Sequence, residues 1–120
     1  MCGRYALHTN PMRVAQHLGL SIELNWDPAY NIAPGRSVPV IASDPGSGDP
    51  VGTEAHWGFH PHWAGENAPT PINARAESLR KSRYFLDSFR HHRCLVPADG
   101  WYEWREEGGK KLPWYFTRED

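Results

Sequence analysis

The chain opens Met1-Cys2-Gly3-Arg4. Removal of the initiator methionine makes Cys2 the first residue and converts it to a 1,2-aminothiol. An α-amino group titrates near ~8 and a cysteine thiol near ~8.5, so both are partly nucleophilic at neutral pH. An aldehyde is then captured by the amine as an imine, and the thiolate closes on the same carbon to give a five-membered thiazolidine. Closure is intramolecular and strongly favoured for that reason. While Met1 remains, the Cys2 nitrogen is an amide and cannot form an imine. A small residue at position two also has a plainer consequence, because it permits methionine trimming whatever the protein does.

Glu103 is the second residue that points to chemistry. In the expected strand Trp101-Tyr102-Glu103-Trp104, alternation puts Glu103 on the face of Trp101, with Tyr102 and Trp104 on the other. If that face is inward, desolvation raises the carboxyl pKa and fits it to pass protons near neutrality. If it is an edge-strand face, Glu103 meets water. The other cysteine, Cys94, lies in the apolar run Arg93-Cys94-Leu95-Val96-Pro97 and reads as a small residue in a buried strand. His60 with His62, and His91 with His92, are the closest approach to metal-ligand spacing. No Cys-x-x-Cys or His-Glu-x-x-His accompanies them, so no metal site and no cofactor is expected.

The elements that must position these residues follow from turn and periodicity signals. Residues 2–7 read as a strand. Asn10-Pro11 reads as an N-cap followed by proline at the first helical position, with Gly19 ending the helix and Val14, Ala15 and Leu18 as its apolar stripe. Residues 21–35 read as loop. Residues 38–42 and 51–57 read as a hairpin around the Gly/Pro turn 44–50. Residues 58–71 read as an ordered loop with Trp63 at its middle, and loops of this kind carry binding residues. A helix is expected over 74–92, with Leu79, Phe85, Leu86 and Phe89 as its apolar face. A strand over 93–96, a turn at 97–100 and a hairpin of 101–106 with 112–117 around Gly108-Gly109 complete the chain. Helices that do not alternate with strands exclude a parallel sheet. The expected class is α+β, mainly antiparallel β.

With 120 residues the chain holds a single domain. No apolar stretch reaches membrane length, and no charged-then-apolar leader is present, so a soluble, cytoplasmic protein is expected. The formal charge of −1 conceals an asymmetry. Residues 1–20 carry +2, residues 73–94 carry +4 through Arg75, Arg80, Lys81, Arg83, Arg90 and Arg93 against Glu77 and Asp87, and the rest carries −7. A local basic face is enough to attract a polyanion. The same charges also fit the solvated side of a helix.

Five blocks carry a resemblance. They are Met1-Cys2-Gly3-Arg4-Tyr5, Tyr30-Asn31-Ile32-Ala33-Pro34, Trp57-Gly58-Phe59 with Pro61 and Trp63, Ile72-Asn73-Ala74-Arg75-Ala76-Glu77, and Pro97-Ala98-Asp99-Gly100-Trp101-Tyr102-Glu103-Trp104. In order and spacing they resemble the motifs of the SOS-response-associated peptidase (SRAP) family across nearly the whole chain. The resemblance implies a barrel-like sheet with flanking helices. It also implies a monomer that senses abasic sites in single-stranded DNA during the DNA damage response, associated with the nucleoid when on DNA. The open abasic sugar exposes an aldehyde, trapped as a thiazolidine crosslink on Cys2, and an autoprocessing peptidase activity accompanies this chemistry. By position, Cys2 is the nucleophile, Glu103 the acid/base in sugar ring opening, and Asn73 the residue that positions sugar and amine. Arg4, Arg75, Trp63 and Asn31 match DNA contacts. The arginines suit phosphates, and Trp63 is either a surface for a base or an anchor of its own loop.

Family members are close to twice as long, and their second half carries a histidine in a His-x-Arg-Met-Pro-like motif that this sequence lacks. The chain therefore reads as the N-terminal part of such a domain, truncated at its C-terminal side. Two other function classes stay open. Glutamine amidotransferases also begin Met-Cys-Gly and use the cysteine amine as a base, but they favour an aliphatic residue where Arg4 stands and need an Asn-Gly dipeptide absent here. A non-catalytic single-stranded DNA binder would use the basic segments and tryptophans without covalent chemistry.

Overall fold

The protein is described by a computed structural model over residues 1–119, and Asp120 lies outside the described residues. The elements run β1 (Tyr5–Leu7), α1 (Pro11–His17), β2 (Ala29–Ile32), β3 (Ser37–Ser43), β4 (Pro50–His56), α2 (Leu86–His91), β5 (Cys94–Leu95), β6 (Gly100–Glu107) and β7 (Lys110–Phe116). They form a four-stranded sheet ordered β2-β1-β6-β7 and a three-stranded sheet ordered β4-β3-β5, each pairing antiparallel. The class is α+β and mainly antiparallel, as expected, with the two sheets open rather than closed into a barrel. No described helix is long and apolar enough to cross a membrane.

The sheets meet where Tyr5, Leu7 and Ile32 of the first face Val38 and Val40 of the second, with Cys2, Trp26 and Trp57 packed against that cluster. Burying each such aliphatic or aromatic side chain is worth roughly 1.5–3 kcal/mol. Sheet and turn chemistry agree locally. Asn10 Oδ1 accepts the Met12 N–H at 2.9 Å to start α1, with Pro11 at its first turn. The β3–β4 ladder runs unbroken from Ser37↔His56 to Ser43↔Pro50. Gly108 and Gly109, at φ +56° and +76°, make the two-residue turn that β6 and β7 need. Pro113 is accommodated because β7 is an edge strand.

Four expectations are corrected. The helix expected over 74–92 shrinks to Leu86–His91, and residues 76–85 form successive turns with Ser78 N–H donating to Arg75 O and Lys81 N–H to Ser78 O. Leu79 and Phe85 are six residues apart and fall about 120° apart around a helix, too far for one narrow apolar stripe, whereas the broken chain brings both to one cavity wall. The loop expected over 21–35 contains β2, whose Ile32 is buried opposite Tyr5. The first strand starts at Tyr5 and not at Cys2. Cys94 is exposed rather than buried, because β5 forms the edge of its sheet and pairs only Leu95 with Ile41 and Cys94 with Ala42.

The contact that matters most for the site is between β1 and β6, whose ladder has only two partners, Tyr5↔Trp101 and Ala6↔Gly100. Asp99 reinforces it. Its Oδ2 accepts the N–H groups of His8 at 2.6 Å and Thr9 at 2.9 Å, its Oδ1 accepts the Thr9 hydroxyl, and its own N–H donates to Ala6 O at 2.8 Å. Desolvation pushes the Asp99 carboxyl up. Hydrogen bonds from Thr9 and His8, with the His8 ring nearby, more than offset this and hold it below its ordinary value. Asp99→Ala leaves these N–H groups without their acceptor and should destabilise the fold by about 2 kcal/mol in urea titration. A carboxyl held low in the folded state contributes fully above its unfolded pKa of ~4, and the contribution fades as pH falls through the folded value. Asp99→Asn should therefore flatten the acid limb of the stability profile.

Candidate functional site

Beyond the β1–β6 ladder the two chains stay together, because Tyr102 N–H donates to Arg4 O at 2.9 Å. One further step along this register brings Glu103 level with Gly3, so the carboxylate sits beside the N-terminus. The Met1 ammonium lies 3.4 Å from Glu103 Oε1. Asn73, from the segment after the long loop, donates its Nδ2–H to the Cys2 carbonyl at 2.7 Å. Two distant parts of the chain thus hold the first residues, one by charge and one by an amide.

Glu103 shares its face with Trp101 and with its cross-strand partner Trp114, as strand alternation dictates. That face is only partly covered. The Glu103 side chain keeps 36% of its surface in solvent, a setting between the inward and the water-facing alternatives that the sequence left open. Cys2 is half-buried against the core, with Sγ 3.5 Å from Arg4 O. Arg4 Nη1–H donates to Asn31 Oδ1 at 2.9 Å, which fixes the guanidinium on the outer side of the N-terminal segment. Beneath Cys2, Tyr5 is 5% exposed and its hydroxyl has no hydrogen-bond partner among the described residues. Burial raises the phenol above its ordinary value, the Arg36 charge opposes this, and the Cys2 thiol adds to it.

Of the residues singled out from the sequence, Cys2, Arg4, Asn31, Asn73 and Glu103 are brought together. Arg75 follows two residues after Asn73 and is exposed, its carbonyl accepting from Ser78. Trp63 belongs to an aromatic cluster on the neighbouring wall, edge-on to Tyr84 at 5.7 Å and 57% exposed. The paired histidines have other partners: His60 Nε2 is 3.0 Å from Gly65 O, and His91 Nδ1 is 3.1 Å from Asp87 Oδ1. Among the described residues no group of three or more His, Cys, Asp or Glu is placed to hold a metal. Sequence reasoning missed Asp99, read as a turn residue. Turn chemistry gives Asp99 a local Asx role only, and the donors to its carboxylate, His8 and Thr9, lie some 90 residues away, so no local signal marked it.

The family model described as SOS response associated peptidase (SRAP) matches residues 1–120. The chain is 37% identical to abasic site processing protein YedK of Escherichia coli, over 100% of this chain and 55% of that protein. It is 34% identical to abasic site processing protein YoqW of Bacillus subtilis, over 94% and 52%. Among solved structures, a phage-related protein from Bordetella bronchiseptica superposes with a TM-score of 0.80 at 31% identity, covering 98% of this chain and 56% of that one. A Bacteroides thetaiotaomicron protein superposes at 0.78 with 26% identity, covering 99% and 55%. The chain spans about half the length of the relatives it matches. A family match over residues 1–120 makes this chain a member of the SRAP family.

Proposed function

We propose that this chain carries the lesion-capturing part of an abasic-site sensor for single-stranded DNA, and that Cys2 forms a thiazolidine with the abasic aldehyde once Met1 is removed. The observation that carries the reading is the 3.4 Å approach of the N-terminal ammonium to Glu103. Trimming one residue moves the free amine onto Cys2, whose carbonyl Asn73 already holds. The relatives' name, abasic site processing protein, supplies the substrate class.

The reaction balances with loss of one water. Glu103 accepts a proton from the Cys2 ammonium, the amine adds to the aldehyde carbon, and a second amine proton passes to the carbonyl oxygen. Glu103 gives its proton to that hydroxyl, which leaves as water, and a protonated imine remains. The thiol loses its proton to solvent, the thiolate adds to the same carbon, and the C=N electron pair returns to nitrogen as a neutral secondary amine. Glu103 also assists opening of the sugar ring by passing a proton between its oxygens. A carboxylate half in solvent can exchange protons with water between these steps. Arg4, oriented by Asn31, and Arg75 grip phosphates beside the lesion, and Trp63 offers an exposed indole to the strand. Autoprocessing at the Met1–Cys2 bond belongs to the same proposal.

The test is incubation of the Met1-free protein with single-stranded DNA bearing an abasic site, followed by denaturing electrophoresis and intact mass. A heat-stable adduct weighing protein plus DNA minus one water is expected, and Cys2→Ala should abolish it. Glu103→Gln should slow adduct formation roughly 10²-fold or more, the scale of a lost general acid/base, with little change in DNA affinity. Arg75→Ala should weaken binding and reduce the salt slope by about one phosphate contact. An adduct that survives Cys2→Ala sinks the assignment of the nucleophile. Salt-sensitive binding without any adduct identifies a non-covalent strand binder instead, and ammonia release from glutamine identifies an amidotransferase.

A further inference from the structure

Asn73 faces two ways. Its amide holds Cys2, and its residue also lines a cavity of about 480 Å³ between the segment around Trp57 and the 74–93 segment. This size falls within the ~300–1,000 Å³ usual for small-ligand sites. Phe59, Phe85 and Phe89 supply aromatic walls, and His92 and Arg93 a cationic or polar rim. The floor is built rather than incidental: Trp57 Nε1–H donates to Ile72 O at 2.9 Å, and Phe59 N–H donates to Pro71 O at 2.9 Å. Gly58 turns the chain there at φ +138°, and a Cβ would stand 3.2 Å from Thr70 Cγ2.

We infer that this cavity seats one unstacked nucleobase, that of the nucleotide flanking the abasic residue. The inference rests on the abasic-strand reading above and adds a subsite to it. Three features favour a base over other apolar ligands. The cavity shares Asn73 with the site of covalent capture, so a neighbouring nucleotide reaches it along the same strand. The segment forming one wall carries the +4 of residues 73–94, with Arg75, Arg90 and Arg93 exposed, which complements a phosphate backbone and repels cationic ligands. Arg93 Cζ lies 5.4 Å from the Phe89 ring centroid, a guanidinium on an aromatic face of the kind that also stacks on bases. A missing base at the lesion leaves its neighbour poorly stacked, and a π-lined slot repays unstacking without demanding a sequence.

The test is a coupling measurement on Met1-free protein. Kd is measured for single strands carrying a tetrahydrofuran abasic analogue, which has no aldehyde and cannot crosslink, with the base on one flank present or replaced by a second analogue. For the unaltered protein, removing the base on one of the two flanks should weaken binding about tenfold. For Phe89→Leu, which keeps apolar volume but removes the aromatic face, the same removal should cost less than twofold, and Phe89→Tyr should restore the tenfold difference. Arg93→Gln, at an exposed position, provides a second variant and should also shrink the difference. Equal losses in the parent and both variants, or no loss on either flank, overturn the inference. Failure of the covalent proposal is read separately, as absence of an adduct with a natural abasic strand.

Discussion

The register between β1 and β6 is the constraint on which the rest of this molecule depends. Side chains along a strand alternate, so a slip of one residue would carry Glu103 to the far face and bring an aromatic residue to the N-terminus. The ladder that prevents this has two partners only, and short antiparallel ladders specify register weakly by themselves. Specification comes from the flanks: Asp99 gathers the exit of β1 at one end, and Tyr102 is tied to Arg4 by its N–H and to the Tyr30 carbonyl by its hydroxyl, at 2.8 Å. The carboxylate beside the N-terminus is thus the downstream result of hydrogen bonds made on other residues.

The site is electrostatically economical. One ammonium, one carboxylate and one amide define it, and the cations that would meet DNA lie on separate segments and are mostly exposed. Overall charge near zero therefore says little about the ligand. Under the proposed function this division would let the reacting groups stay near neutral balance while a strand is drawn by a field from elsewhere on the surface.

The assembly of the candidate site was more legible in the sequence than the fold around it. Cys2, Asn73 and Glu103 stood out by residue type and motif order, the fold brings them to one N-terminus, and strand alternation places Glu103 on the face of Trp101. The β3–β4 and β6–β7 hairpins were legible for a similar reason, since their turn residues act locally. The segment 76–85 was not, because its basic side chains mimic the polar face of a helix while Leu79 and Phe85 lie out of phase for one. β2 escaped notice because the turn-forming residues around it, Asn25, Asp27, Pro28, Pro34 and Gly35, mask the strand preference of Tyr30 and Ile32. Cys94 was misread since an apolar run does not reveal whether its strand will be central or marginal in a sheet. The cavity beside Asn73 was invisible because three neighbouring stretches, 56–60, 71–74 and 79–93, make it only by folding onto one another.

The two thiols of this chain also differ in a way that exposure does not capture. Cys94 is the more accessible, with desolvation raising its thiol pKa, yet its nitrogen is locked in the backbone. Toward an aldehyde its sulfur can give only a hemithioacetal, which dissociates on dilution. Under the proposed capture, chemoselectivity would be written into connectivity: the position of a cysteine in the polymer, rather than the acidity of its sulfur, would decide whether capture is transient or lasting.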